Sequence, residues 1–331
     1  QGTTGGVILN GNGTGALALG IVQTETVGNK TLTLSGTSAA SLANSVAGIM
    51  EVGSVLSVTK SGANTWVVNG ANTYTGNTLN SGGGVLRAGN SQSFGTVGTV
   101  TIQDTGTVLE LADAVNINRP LTVSNTGDGK VLRLEATATS GTYSGNIANA
   151  ETTGANFDVG ASTGGILSLT GIISGVGGLE KVGEGTVILS NANTYAGTTL
   201  VTAGILQIGN GTSGAINGTG AVSVVTTGAT LATAAVLAGG SAGNAGVGNI
   251  SGATTIGDVG NAANLGILAP GIGDVDISNQ SLTFSNIGGL TIASGSQVQL
   301  GITSATITAS SGGTNTAAFL AGFGVLYSDF D

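Results

Sequence analysis

Apolar residues in this chain come in short runs of four to six positions, spaced by Thr, Ser, Gln or Lys: "KTLTLSG" at 30–36, "TVTIQ" at 99–103, "TVILS" at 186–190, "ILQI" at 205–208, "AVSVV" at 221–225 and "SLTF" at 281–284. Alternation with a period of two places one set of side chains on each side of an extended strand. Gly, Asn, Asp or Ser closes each run, which is the punctuation of strands joined by turns. An amphipathic helix needs apolar residues at i, i+3, i+4 and i+7 over about ten residues. Only "SLANSVAGIM" at 41–50 and "LATAAVLAGG" at 231–240 approach that spacing, and Gly interrupts both. The pattern predicts a chain that is almost all β.

The runs are organised by a repeat. "KSGANTWVVNGANTYTGNTLNSGGGVLRAGN" at 60–90 is rewritten as "KVGEGTVILSNANTYAGTTLVTAGILQIGN" at 181–210. Lys60 falls on Lys181, Asn72 on Asn193, Tyr74 on Tyr195 and Thr78 on Thr199; after one extra residue in the first copy, Leu86 falls on Leu206. "VTIQDTGTVL" and "VSVVTTGATL" extend the units to 60–111 and 181–233. Units holding several short strands with Gly and Asn turns are the mark of a solenoid, in which each coil covers the apolar edge of the last. The expected fold is a right-handed parallel β-helix, one elongated body over 1–331. At about 20–25 residues per coil it would have about 13–16 coils and be about 65–75 Å long.

Composition agrees. Of 331 residues, 62 are Gly, 7% are charged, and there is no Cys or His. Ordinary globular chains carry roughly 25% charged residues and about 7% Gly. Disorder goes with low hydrophobicity, but here 40% of residues are hydrophobic and mean hydropathy is +0.38. With aromatics at only 3%, small and β-branched side chains must build the core, as strands favour. A net charge of −9 with seven scattered basic residues argues against nucleic acid as a partner. The longest apolar run, "AAFLAGFGVL" at 317–326, is far short of the roughly 20 residues that cross a bilayer as a helix. Gln1 opens without Met or a signal-peptide pattern, which reads as a mature or trimmed product. Absence of Cys is compatible with an oxidising exterior, so the expected location is extracellular or at the cell surface.

Catalytic chemistry finds little to work with. Without His or Cys, neither a Ser-His-Asp triad nor a Cys/His zinc site can be built. Three carboxylate pairs remain: Asp274 with Asp276, Glu180 with Glu184, and Asp329 with Asp331. Each could bind a hard cation or serve as a glycosidase pair, but a solvated turn or strand edge accounts for each. "GDGK" at 127–130 shares only composition with a phosphate loop and reads as a Gly turn. In "ANTY" at 71–74 and 192–195, Asn is expected to stack on Asn at successive corners, while Tyr caps the packed interior and hydrogen-bonds through its hydroxyl. The alternative is an exposed Tyr that stacks on a sugar. Trp66 reads as core or cap. No catalytic, cofactor or metal residue is assigned, and the chain is expected not to be an enzyme.

The pattern K-x-G-x-G-T-x-x-L-S-x-x-N-T-Y-x-G-x-T, carried by Lys181, Gly183, Gly185, Thr186, Leu189, Ser190, Asn193, Thr194, Tyr195, Gly197 and Thr199, resembles the autotransporter-associated β-strand repeat of bacterial passenger domains. The first copy departs from it at Ser61, at Ala63 or Asn64, and at Trp66. A second stretch, 265–302, is similar to the passenger segment in which a "LAPG" turn, here Leu268 to Gly271, precedes more strands. The resemblance implies a secreted parallel β-helix held at or released from the cell surface. Such passengers usually run on into an outer-membrane barrel, which is not found before "LYSDFD" at 326–331. It implies no particular activity. Both ends read as interior coils, "GGVILNGNGTGALALG" at 5–20 and "GFGVLYSDFD" at 322–331, and uncapped edges seek strands. The leading expectation is therefore a non-enzymatic rod that associates with copies of itself into a fibre or surface layer. The alternatives are a cell-surface adhesin passenger that binds glycans or receptors on host or neighbouring cells, and, more weakly, a β-helical carbohydrate-active enzyme.

Overall fold

The computed structural model describes residues 5–25, 27–38, 43–124, 129–152, 156–210, 213–226, 235–239, 247–261, 263–269, 281–284, 290–294 and 296–298. These form strands joined by turns and bends, with no helix among the described residues. The six runs singled out above all contain strands, at Lys30–Ser35, Val100–Ile102, Thr186–Leu189, Ile205–Ile208, Val222–Val224 and Ser281–Phe284. The two stretches closest to a helical spacing are strands where described, at Asn44–Met50 and Ala235–Gly239.

The strands stack into parallel sheets that form the sides of an elongated β-helix. Sheet A has eight strands, from Gly5–Asn10 to Ile173–Gly175. Sheet B has twelve, from Ala18–Gln23 to Leu290–Ile292, and sheet C has eight, from Val115–Ile117 to Gln297–Val298. Sheet D has four, from Ala192–Asn193 to Ser281–Phe284. Sheet D continues the side that sheet A leaves: the Thr194 and Ala196 amides donate to the Ile173 and Gly175 carbonyls, both at 2.8 Å.

Coil length varies along the stack. The step is 20 residues between paired Thr65 and Val85 but 36 between paired Thr254 and Leu290. Among the described residues, the twelve strands of sheet B give twelve coils, and eleven intervals of ~4.8 Å make a stack of about 53 Å.

Register explains the core. Leu109, Leu132 and Val159 pair in consecutive strands of sheet B and are all fully buried. The apolar interior is continuous from Leu32 to Leu268. Burying a Val or Leu contributes about 1.5–3 kcal/mol, and a one-residue slip would turn the whole inward set to water. Outward positions are free to carry other chemistry.

The two repeat copies occupy different sides of the β-helix. Leu56–Lys60, which opens the first copy, belongs to sheet A, whereas Leu179–Val182, which opens the second, belongs to sheet B. The same sequence is thus folded one side further round.

Candidate functional site

The repeated motif builds a polar corner inside the wall. In the first copy the Asn72 Oδ1 accepts from the Ile49 amide at 2.6 Å, and Nδ2 donates to the Ser93 carbonyl at 2.6 Å. In the second, Asn193 Oδ1 accepts from Ile173 at 2.9 Å, and Nδ2 donates to Ala215 at 3.0 Å. Each amide joins the coil before to the coil after, supplying bonds that the interrupted strand ladder does not make. Asn-on-Asn stacking is therefore corrected: the partners are backbone groups.

Tyr74 and Tyr195 are fully buried, which removes the reading of an exposed ring for sugar stacking. Their hydroxyls pair with Thr78 Oγ1 and Thr199 Oγ1, each at 2.6 Å, and burial pushes both phenols well above the ordinary tyrosine range. Trp66 is also buried and donates from Nε1 to the Ser35 carbonyl at 3.0 Å.

The motif lysines are inside as well. Lys181 Nζ donates to the carbonyls of Val182 at 2.9 Å, Gly183 at 2.5 Å and Ala203 at 2.9 Å. Lys60 Nζ donates to the Gly62 carbonyl. Gly62 and Gly183 turn these carbonyls toward the ammonium at φ 83° and 74°, a left-handed conformation that favours glycine. Burial lowers both lysines to about 8. Composition alone did not mark them, because lysine is rarely buried without a partner.

Of the carboxylate pairs, only Glu180 and Glu184 lie among the described residues. Glu180 faces outward from sheet B and accepts from Thr202 Oγ1 at 3.1 Å, while Glu184 sits in an exposed turn. Glu180 stands instead beside Asp158, its partner in the adjacent strand. Burial, then the Glu180 charge, pushes the Asp158 carboxyl up to about 7. Sequence reasoning missed this pair because 22 residues separate its members and the coil step is not constant, from 20 residues at Thr65 and Val85 to 36 at Thr254 and Leu290. In "GDGK", Gly127 and Asp128 fall outside the described residues, and Lys130 is buried in an ion pair with Glu151 at 2.6 Å. Asp274, Asp276, Asp329 and Asp331 also fall outside them, as do Pro270 and Gly271; Leu268 and Ala269 end the strand Gly266–Ala269. Among the described residues no three acidic side chains gather as a metal site.

The outer faces differ. On sheet B, Glu110 bridges Arg87 at 2.5 Å and Arg133 at 2.8 Å, beside an outward column of Val85, Val108 and Val131. Sheet C turns Ile166, Thr186, Ile205 and Val236 outward. Sheet A shows hydroxyls: Thr33, Thr59, Leu79, Thr101 and Thr122 form one outward column over five coils. Two positions beyond, Ser35, Ser61, Ser81, Gln103 and Ser124 form a second, as the stacking of Ser61 on Leu34, Ser81 on Lys60, Gln103 on Asn80 and Ser124 on Ile102 requires; within it Ser81 is buried and its Oγ donates to the Lys60 carbonyl at 3.2 Å.

These features coincide with known proteins at the motif. Residues 58–88 and 179–208 match the passenger-associated-transport-repeat family, so the chain is a β-helical solenoid that carries two autotransporter passenger repeats. Over 151 residues, 44% of this chain, it is 36% identical to the adhesin BmaC autotransporter of Brucella suis biovar 1 (strain 1330). The match spans 4% of that relative's length. No solved structure matches the chain.

Proposed function

We propose that this chain is a stretch of a cell-surface adhesin passenger, a non-enzymatic rod whose outward faces contact other surfaces. Its location is extracellular or at the cell surface. The observation that carries the reading is the pair of passenger repeats at 58–88 and 179–208, supported by the 36% identity to an adhesin autotransporter. The self-associating fibre, favoured by sequence alone, gives way to this reading. The polar groups of the motif support the same view, since Asn72, Asn193, Lys60 and Lys181 spend their hydrogen bonds on the wall itself. Activity at a contact surface therefore falls to residues outside the motif. No helix among the described residues is long and apolar enough to cross a membrane, which says nothing of a β-barrel.

The test is adhesion. Beads coated with the purified chain are expected to adhere to cultured epithelial cells or to bacteria well above beads coated with an unrelated β-helix. Equal adhesion of the two bead types would reject the reading.

A further inference from the structure

We infer that the outer face of sheet A is the contact surface of this adhesin and that its partner is a neutral, hydroxyl-rich polysaccharide. The inference rests on the adhesin reading and adds the face and the ligand class. Three parallel outward columns cross the strands from Lys30–Ser35 to Leu121–Val123. Two are the hydroxyl columns described above; the third, on the other flank, is Thr31, Ser57, Asn77, Thr99 and Pro120. With ~4.8 Å between strands and ~3.3 Å per residue along them, the face measures about 19 by 13 Å.

Charge defines the partner. None of these positions holds Asp, Glu, Lys or Arg, although the chain carries a net charge of −9. The charged groups at its rim are turned to the backbone. Glu51 Oε2 accepts from the Leu56 and Thr75 amides at 2.7 and 2.9 Å. Asp104 Oδ2 accepts from the Gly82 amide at 3.1 Å, and Arg119 donates to the Val97 carbonyl at 2.7 Å. An anionic polymer would find cations only at the rim, at Lys30 and Arg119, both turned to backbone carbonyls, and would meet the repulsion of the net negative chain. An uncharged polyol meets neither obstacle.

Hydrogen-bonding capacity points the same way. The hydroxyls of Thr31, Thr33, Ser57, Thr59, Thr101 and Thr122 make no hydrogen bond within the described residues, and all six residues are half-buried, so their hydroxyls remain available at the surface. A hydroxyl both donates and accepts, as do the hydroxyls of a sugar. Each such bond adds little net affinity, because it replaces a bond to water, and no aromatic ring on the face adds stacking, because Trp66, Tyr74, Tyr143 and Tyr195 are buried. A single sugar would therefore bind weakly, and an extended polymer would bind by many simultaneous contacts. Sheets B and C carry shorter hydroxyl columns, Thr142 and Ser168 on C and Ser223, Thr255 and Thr291 on B, but set beside isoleucines on C and, on B, beside valines, an Arg–Glu–Arg bridge and the Asp158–Glu180 pair.

The experiment compares retention of the chain on immobilised mannan, dextran and cellulose with retention on heparin. Thr59→Val with Thr101→Val removes two central hydroxyls at nearly constant shape; Thr142→Val on sheet C is the control, and circular dichroism with thermal unfolding checks the fold of each. Retention on a neutral polysaccharide is expected, with a loss of at least tenfold in the double variant and none in the control. Retention on heparin alone, no retention on any neutral polymer, or retention unchanged in the folded double variant would overturn the inference. So would a double variant that alters sedimentation of the chain while leaving retention intact, since the face would then meet other copies. Bead adhesion to cells, measured in parallel, decides the adhesin reading separately.

Discussion

The two repeat copies make the same bonds on different sides of the β-helix. Asn72 and Asn193 each clasp an amide from the coil before and a carbonyl from the coil after, and Tyr74 and Tyr195 each pair with the Thr four residues on. Yet the first copy opens on sheet A and the second on sheet B. The motif therefore specifies a corner and its ties to adjoining coils, and is indifferent to which side carries it. What differs is mainly the outward residues: Thr59 and Ser61 in the first copy stand where Glu180 and Val182 stand in the second. Surface chemistry is thereby uncoupled from the wall, so one repeat can support a hydroxyl face on sheet A and an acidic pair on sheet B.

The strongest way to break this comparison is to empty the corner. Tyr74→Ala and Tyr195→Ala are each expected to cost about 3–5 kcal/mol, since both remove a fully buried ring and strand the Thr78 or Thr199 hydroxyl. Urea unfolding checks this, and a loss in one copy more than twice that in the other would refute the equivalence. Asn72→Ala and Asn193→Ala come next, at about 2–3 kcal/mol, because each leaves a buried amide and a buried carbonyl without a partner. Neutral behaviour of either would show that water or a shifted backbone replaces the side chain.

Much of the wall was legible because period-two alternation and Gly or Asn punctuation act locally. "TVILS" and "ILQI" read as strands and are strands. What a local pattern cannot carry is the pairing of one coil with the next. The coil step varies from 20 to 36 residues, so Asp158 could not be set beside Glu180 by counting, nor could the hydroxyls of sheet A be seen as columns. The Asn stacking expectation failed for a related reason. Asn72 and Asn193 lie in coils far apart and on different sides, and each meets backbone where another Asn was expected. The buried lysines were hidden because the carbonyls that satisfy Lys181 are made available only by turns at Gly183 and in the following coil.

Those lysines sharpen the comparison. Lys181 reaches into the next coil at Ala203, whereas Lys60 donates within its own turn. Lys181→Met is expected to cost about 2 kcal/mol at pH 7, from carbonyls left unpaired, and Lys60→Met less. Both lysines are lowered by burial to about 8, below the ordinary value of about 10.4. The unfolded chain therefore binds more protons between these values, and stability is expected to rise with pH from about 8. Ionisation of the unfolded tyrosines opposes this above about 10, so the slope is read between pH 8 and 9.5. A double Lys→Met variant with the slope of the parent would show that the ammonium groups keep their ordinary affinity for protons.

The smallest effect belongs to Asp158, where the second copy has an acidic neighbour that the first lacks. Asp158 is flanked in its outward column by Val131 on one side and Glu180 on the other; burial first and the Glu180 charge second raise it to about 7. Lys181 in the same strand points inward to its carbonyls, and Arg133 is held by Glu110, so neither offsets the pair. With the folded value above the unfolded value of about 3.9, the folded chain binds the proton more tightly. Stability from this group is present in full below about 3.9 and is lost as pH rises from there through about 7. Glu51, Asp113, Glu135 and Asp258 are lowered by their hydrogen bonds and titrate beneath this window. Asp158→Asn is therefore expected to stabilise the chain at pH 8 by about 1 kcal/mol, after screening by water at a partly exposed site, and to flatten the slope between pH 5 and 7. The reverse experiment transplants the pair: Thr33→Asp with Thr59→Glu on sheet A, where these positions are register partners, should create the same acid-side slope in the first copy. If urea midpoints across pH show the parent slope in Asp158→Asn, or none in the transplant, the two sides differ by more than their outward residues.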